Sequence, residues 1–143
     1  MIWDDIISNF NTVMAAQTAT YTISPDTIDL ELLPGSVFDR SYSIQMHGIN
    51  AVKSEVNNYL YFDYDVRLQL AYALTPQSGR TSYTTAIDEI EAIIKSRLTV
   101  SSFTGTFNNV VFLRCSPFDF KNRAGEYFAV VSVDFRVTGS TTV

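Results

Sequence analysis

A chain of 143 residues has the length of one domain of ordinary size, with no room for a substrate domain beside a cofactor domain. Apolar residues make up 46% and charged residues 17%, with a mean hydropathy of +0.07, which is enough apolar side chain for a packed core and the wrong composition for a disordered chain. Fifteen acids against ten bases give a formal charge of -5, the wrong sign for gripping phosphate backbones, and the single Cys115 excludes an internal disulfide.

From Ile2 to Met14 the residues Ile2, Ile6, Phe10, Val13 and Met14 recur three or four positions apart, widened by Trp3 and Ile7, which is the period of an amphipathic helix. Asp4 and Asp5 stand in its first turn, where the helix dipole favours acids. Ser24-Pro25-Asp26 signals a turn. Ile28, Leu30 and Leu32 then alternate with Thr27, Asp29 and Glu31 as a strand with one apolar face, broken at Leu33-Pro34-Gly35-Ser36. Arg40 to His47 alternates again, with Tyr42, Ile44 and Met46 on one face, and ends at Gly48.

The clearest strand runs from Tyr59 to Leu74, where Leu60, Phe62, Tyr64, Val66, Leu68 and Leu70 oppose Tyr59, Tyr61, Asp63, Asp65, Arg67 and Gln69. It is far longer than an average strand of about 5 or 6 residues, so one end is expected to project beyond the domain's own sheet. After a loop at Thr75–Gly79, a second helix from Tyr83 to about Leu98 carries Ala86, Ile87, Ile90, Ile93, Ile94 and Leu98, with Asp88, Glu89 and Glu91 early and Lys95 and Arg97 late. Strands Phe107–Cys115 and Glu126–Val137 follow, separated by a loop from Ser116 to Gly125. The order α-β-β-β-α-β-β describes an α+β domain, a mainly antiparallel sheet with two helices packed on its apolar face.

Residues 1 to 72 hold nine acids and three bases, whereas 73 to 143 hold six acids and seven bases, an asymmetry suited to head-to-tail self-association. No apolar stretch approaches the roughly 18 residues of a membrane span, and the opening residues lack the basic start of a signal peptide, so an intracellular origin is expected.

Convergent chemistry is scarce. His47 with Asp63 and Asp65 is the first candidate for proton transfer or metal binding, but both carboxylates fall on the wet face of an amphipathic strand, which ordinarily carries solvated acids. Cys115 lacks a base beside it and reads as a small buried apolar residue. Neither a phosphate loop nor a G-x-S-x-G, G-x-G-x-x-G or C-x-x-C pattern occurs. The tyrosines at 59 and 61 are interleaved with acids rather than bases, which suits an interface better than a nucleobase platform. The residues therefore predict no catalytic, cofactor or metal site.

The short N-terminal helix, the break and strand from Leu33 to Ile44, the long strand Tyr59 to Leu74, the helix Ala86 to Ile94 and the closing strand Glu126 to Val131 together resemble the tail terminator (tail completion) proteins of tailed bacteriophages. The resemblance lies in element order and length across most of the chain. It implies a non-enzymatic virion protein, made in the host cytoplasm, whose hexameric ring caps the head-proximal end of the tail tube, ends tube polymerisation and joins the tail to the neck. The implied partners are further copies of the chain, the tail tube protein, a neck or connector protein, and genomic DNA passing through without tight binding; no cofactor and no membrane are involved. Another head-tail connector component, or a small-molecule-binding α+β domain with a pocket under its sheet, remain as alternatives.

On that reading the subunit interface is expected at Val37, Phe38, Tyr59 and Tyr61, where loop apolars and the end of an overlong strand offer contact. The mixture of Phe118, Phe120, Lys121 and Arg123 is expected to meet an axial partner, and Asp63, Asp65 and Asp134 to line the channel.

Overall fold

The computed structural model describes residues 2–23, 39–53, 58–74, 79–99, 107–123 and 126–142. The 3.6-residue apolar stripe of the first segment forms α1 (Ile2–Ala15), and the chain continues through β1 (Thr22–Ile23), β2 (Ser41–Lys53), β3 (Tyr59–Leu74), α2 (Gly79–Thr99), β4 (Phe107–Cys115), β5 (Asp119–Arg123) and β6 (Glu126–Thr142). The strands make one sheet in the order β1-β2-β3-β6-β4, with β5 also paired to β6. Of the pairings, only the short one between β1 and β2 is parallel. This is an α+β fold, as the element pattern predicts.

The period-2 alternation of β3 places it at the centre of the sheet rather than at an overhang. Every residue is in register with β6, from Tyr59 opposite Thr142 to Leu74 opposite Tyr127, and β2 covers the other side from Leu60 to Ala71. The expected projection is thus corrected: β3 is long because both neighbours are long. β2 does not stop at Gly48 but passes through a bulge at His47 and runs on to Lys53, and β6 continues beyond Val137 to Thr142.

The segment read as a loop from Ser116 to Gly125 contains strand β5. β4 and β5 lie end to end along the same edge of β6, joined at Ser116, whose N–H donates to Ser132 O (2.8 Å) and whose Oγ accepts the Ser132 N–H (2.8 Å). Pro117, which has no N–H to donate, interrupts the ladder there. The strand proposed at residues 27–32 lies outside the described residues.

Alternation then sorts the faces. Toward the helices, β3 contributes Phe62, Val66, Leu68, Leu70 and Tyr72 and β6 contributes Ala129, Val131, Val133, Phe135 and Val137, packed with Ile6, Phe10 and Met14 of α1 and Ala86, Ile90 and Ile93 of α2. Phe10 meets Phe135 edge-on, with ring centroids 5.4 Å apart, and both rings are fully buried. On the far face, Phe128 and Val130 join Ala71 in a second buried cluster, although alternation had placed them on the wet side of the closing strand. Polar Ser41, Ser43 and Gln69 are buried on β2 and β3 next to it.

Truncating a buried aromatic ring costs the lost transfer energy and the cavity left behind. Phe10→Ala is expected to destabilise the fold by about 3–5 kcal/mol, read as a lowered urea midpoint with an unchanged slope.

Candidate functional site

Antiparallel register brings the acids of the far face onto arginines. Asp65 stands opposite Arg136 and Arg67 opposite Asp134. Arg136 Nε donates to Asp65 Oδ1 at 2.9 Å, while Arg67 donates from Nε to Asp134 Oδ1 at 2.9 Å and from Nη2 to Oδ2 at 3.3 Å. The Asp65 carboxylate holds the Arg136 guanidinium above its ordinary pKa, first through this hydrogen bond and then through its charge. Arg114, in register with Asp134 on β4, adds a third base to the face. Asp63, Asp65 and Asp134 therefore do share one face, but it is a charge-balanced ladder; Asp63 alone of the three has no ion pair among the described residues. The sequence places these carboxylates on a common face, while the arginine opposite each one becomes visible only with the strand order.

His47 occupies the β2 bulge, exposed, with Nε2 3.4 Å from Gln45 Oε1. It makes no ion pair with Asp63 or Asp65, and among the described residues no three His, Cys, Asp or Glu side chains are placed to hold a metal ion. Cys115 is exposed at the end of β4 rather than buried, the one point at which its reading is overturned: Leu113 bulges out of the ladder just before it. Its thiol pKa is raised, by loss of solvent first and by Asp134 second, with Arg114 opposing, which is the reverse of what a nucleophile needs.

The residues expected at interfaces lie at opposite flanks. Tyr59 and Tyr61, each 44% exposed, stand beside one another at the far end of β3 with centroids 6.4 Å apart. Val37 and Phe38 lie outside the described residues. Phe118 and Phe120 stack at 6.0 Å on the flank formed by β5, and Tyr83 of α2 closes on both, at 5.0 and 5.9 Å. Because β5 is a strand, the aromatic and basic residues do not form one mixed patch: position 120 pairs with Ala129 of the helix face, and position 121 pairs with Phe128 of the far face.

A cluster that sequence reading missed ties the start of β2 to α2. Arg40 adopts a left-handed backbone (φ 52), its carbonyl accepts the Thr22 N–H at 2.9 Å, and its guanidinium grips Glu89 through Nη2 to Oε1 at 2.9 Å and Nε to Oε2 at 3.1 Å. Tyr21 OH donates to the same carboxylate at 2.9 Å, so its oxygen is left to accept from Tyr72 OH at 2.8 Å. Since α2 begins at Gly79, Glu89 sits in mid-helix, and pairing with Arg40 rather than the helix dipole accounts for the acid. Burial is the main cause of the raised hydroxyl pKa of both Tyr21 and Tyr72.

Beside this cluster a cleft of about 380 Å³ is lined by Gln17, Thr18, Ala19, Tyr21, Thr85, Asp88, Glu89 and Ala92. The hydroxyl of Tyr21 and the carboxylate of Glu89 are bonded to each other and to Tyr72 and Arg40, so they converge on one another rather than on a ligand. No helix among the described residues is long and apolar enough to cross a membrane. No protein-family model matches the chain, and no curated protein matches it either.

Two outcomes follow from the Arg40 cluster. Arg40→Ala loses the ion pair and keeps a side chain at positive φ, whereas Arg40→Gly relieves the backbone, so the glycine variant should be the more stable of the two by about 1 kcal/mol in urea titrations. Above pH about 10 an unfolded tyrosine ionises while buried Tyr72 stays protonated, so the folded chain binds the extra proton and stability must fall as pH rises. The expected slope is up to about 1.4 kcal/mol per pH unit, and Tyr72→Phe should flatten it in denaturation measured between pH 9 and 11.

Proposed function

We propose that the chain is a structural, non-enzymatic virion subunit of the tail-terminator kind, which closes into a hexameric ring on the head-proximal end of a phage tail tube, ends tube growth and joins the tail to the neck. The observation that carries the reading is the unlikeness of the subunit's two flanks. Large apolar residues are exposed on β2 at one side of the sheet and around β5 at the other, with β3 and β6 between them. A subunit with two different contact patches associates head to tail, and such contacts close into rings that present two distinct end faces. The element order that resembles tail terminators supports the same conclusion.

The ion-paired face suits passage of a genome. A wall of free lysines or arginines would displace counterions from DNA and hold it, whereas Arg67 and Arg136 are each already bonded to a carboxylate of the same subunit. Asp63, Asp65 and Asp134 would thus act in the channel by occupying arginines as much as by repelling phosphate. Tyr59 and Tyr61 offer contact area at the end of the sheet.

Solution mass by multi-angle light scattering, with negative-stain images of the same fractions, tests the proposal. A particle of six chains with a central hole, able to stop polymerisation of its tube protein, is the expected result; a monomer at every concentration would overturn it.

A further inference from the structure

Two exposed apolar patches on opposite flanks of the sheet differ in the charge that surrounds them. The first lies where α1 meets β2. Met46 and Ile49, 49% and 48% exposed, follow each other across the bulge on the helix side. Ile49 is in register with Tyr64, and Trp3 of α1 stacks on Tyr64 at 6.3 Å. The next two residues of the helix, Asp4 and Asp5, are exposed acids. The second is the knob of Tyr83, Phe118 and Phe120, with Phe120 58% exposed. Lys121 and Arg123 follow on the same strand and Arg80 lies one turn before Tyr83, against the one acid Asp119.

We infer that these two patches are the two halves of the contact between neighbouring subunits: the aromatic knob of one copy, Tyr83 and Phe120, seats on the Trp3, Met46 and Ile49 strip of the next, with the acids of α1 facing the bases beside β5. The inference rests on the ring proposed above and specifies how it is held. Three features of the molecule favour a second copy as the occupant. Each patch is apolar at its centre and charged at its rim, as interfaces are. The rims are opposite in sign, which repeats locally the division of nine acids and three bases in the first 72 residues from six acids and seven bases in the rest. The patches lie on flanks separated by β3 and β6, so neither can cover the other within one subunit, and each copy keeps one knob and one strip for its two neighbours. This moves Phe118 and Phe120 from an axial role to the ring contact.

Cross-linking in a Cys115→Ser background tests it. Ile49→Cys and Phe120→Cys are made singly; both positions are exposed, and urea melts matching the parent confirm folding. A short bis-maleimide should join an equal mixture of the two variants into covalent dimers, leave either variant alone monomeric on denaturing gels, and carry the double variant up to covalent hexamers. Lys121→Glu with Arg123→Glu should weaken assembly at least roughly tenfold, and adding Asp4→Lys with Asp5→Lys should restore it. Rings of full mass that do not cross-link, or that ignore the charge reversal, overturn this contact and leave the ring intact as a reading. Cross-linking of a single variant to itself indicates a twofold contact and also overturns it. A parent chain that is monomeric by light scattering removes the ring and the contact together.

Discussion

Everything else in this subunit depends on the register of β3 against β6. All sixteen residues of β3 are paired with β6, and because side chains alternate, a slip of one residue would turn every one of them to the opposite face. In the observed register Val66 and Phe135 lie together under the helices, while Asp65 meets Arg136 and Arg67 meets Asp134 on the far side. A slip would drive four charges into the space that now receives Phe10. The ion pairs are half exposed and add little stability by themselves. Their effect is to make the alternatives costly.

The helices are held to this sheet by packing along most of its length and by charge at one corner. Arg40 is where the two meet: its carbonyl receives β1, its guanidinium receives α2 through Glu89, and its left-handed backbone turns the chain into β2. A left-handed conformation costs a side-chain-bearing residue roughly 1–2 kcal/mol, and the bidentate pair with Glu89 offsets that cost. The same carboxylate takes the proton of Tyr21, which in turn accepts from Tyr72, so one acid in mid-helix organises three other residues drawn from β1, β2 and β3 or their borders.

Periodicity made α1, β3 and β4 legible because each carries an uninterrupted apolar stripe. It failed where the stripe breaks for a structural reason. At His47 the bulge shifts the phase, so Met46 and Ile49 share a face although they are three apart, and the strand looks finished at Gly48. α2 starts at Gly79, but Arg80, Thr81 and Ser82 give its first turn no apolar period to detect. Strand β5 is short and preceded by Pro117, which reads as loop composition. Among the candidate residues, the common face of Asp63, Asp65 and Asp134 could be read from alternation, but their arginine partners could not, since β3 and β6 are separated by about sixty residues of chain and meet only through the sheet order. The Arg40, Glu89, Tyr21 and Tyr72 cluster has no motif, because four elements each supply one ordinary residue.

The flanks of the sheet also limit how a neighbour can attach. An edge strand with regular, open hydrogen-bonding groups invites another strand to pair with it, and bulges are one way in which proteins prevent this. β2 is bulged at His47, and β4 at Asn108 and Leu113, so both long flanks are irregular where they are exposed. Pairing backbone to backbone along them would leave unmatched groups at each bulge. The same irregularity turns side chains outward: Met46 and Ile49 border one bulge, and Leu113 forms another. A contact made by side chains docking into side chains has no ladder to match. It also fixes one angle between neighbours instead of allowing the sheet to slide by a residue pair, and a fixed angle is what a closed ring of definite number requires.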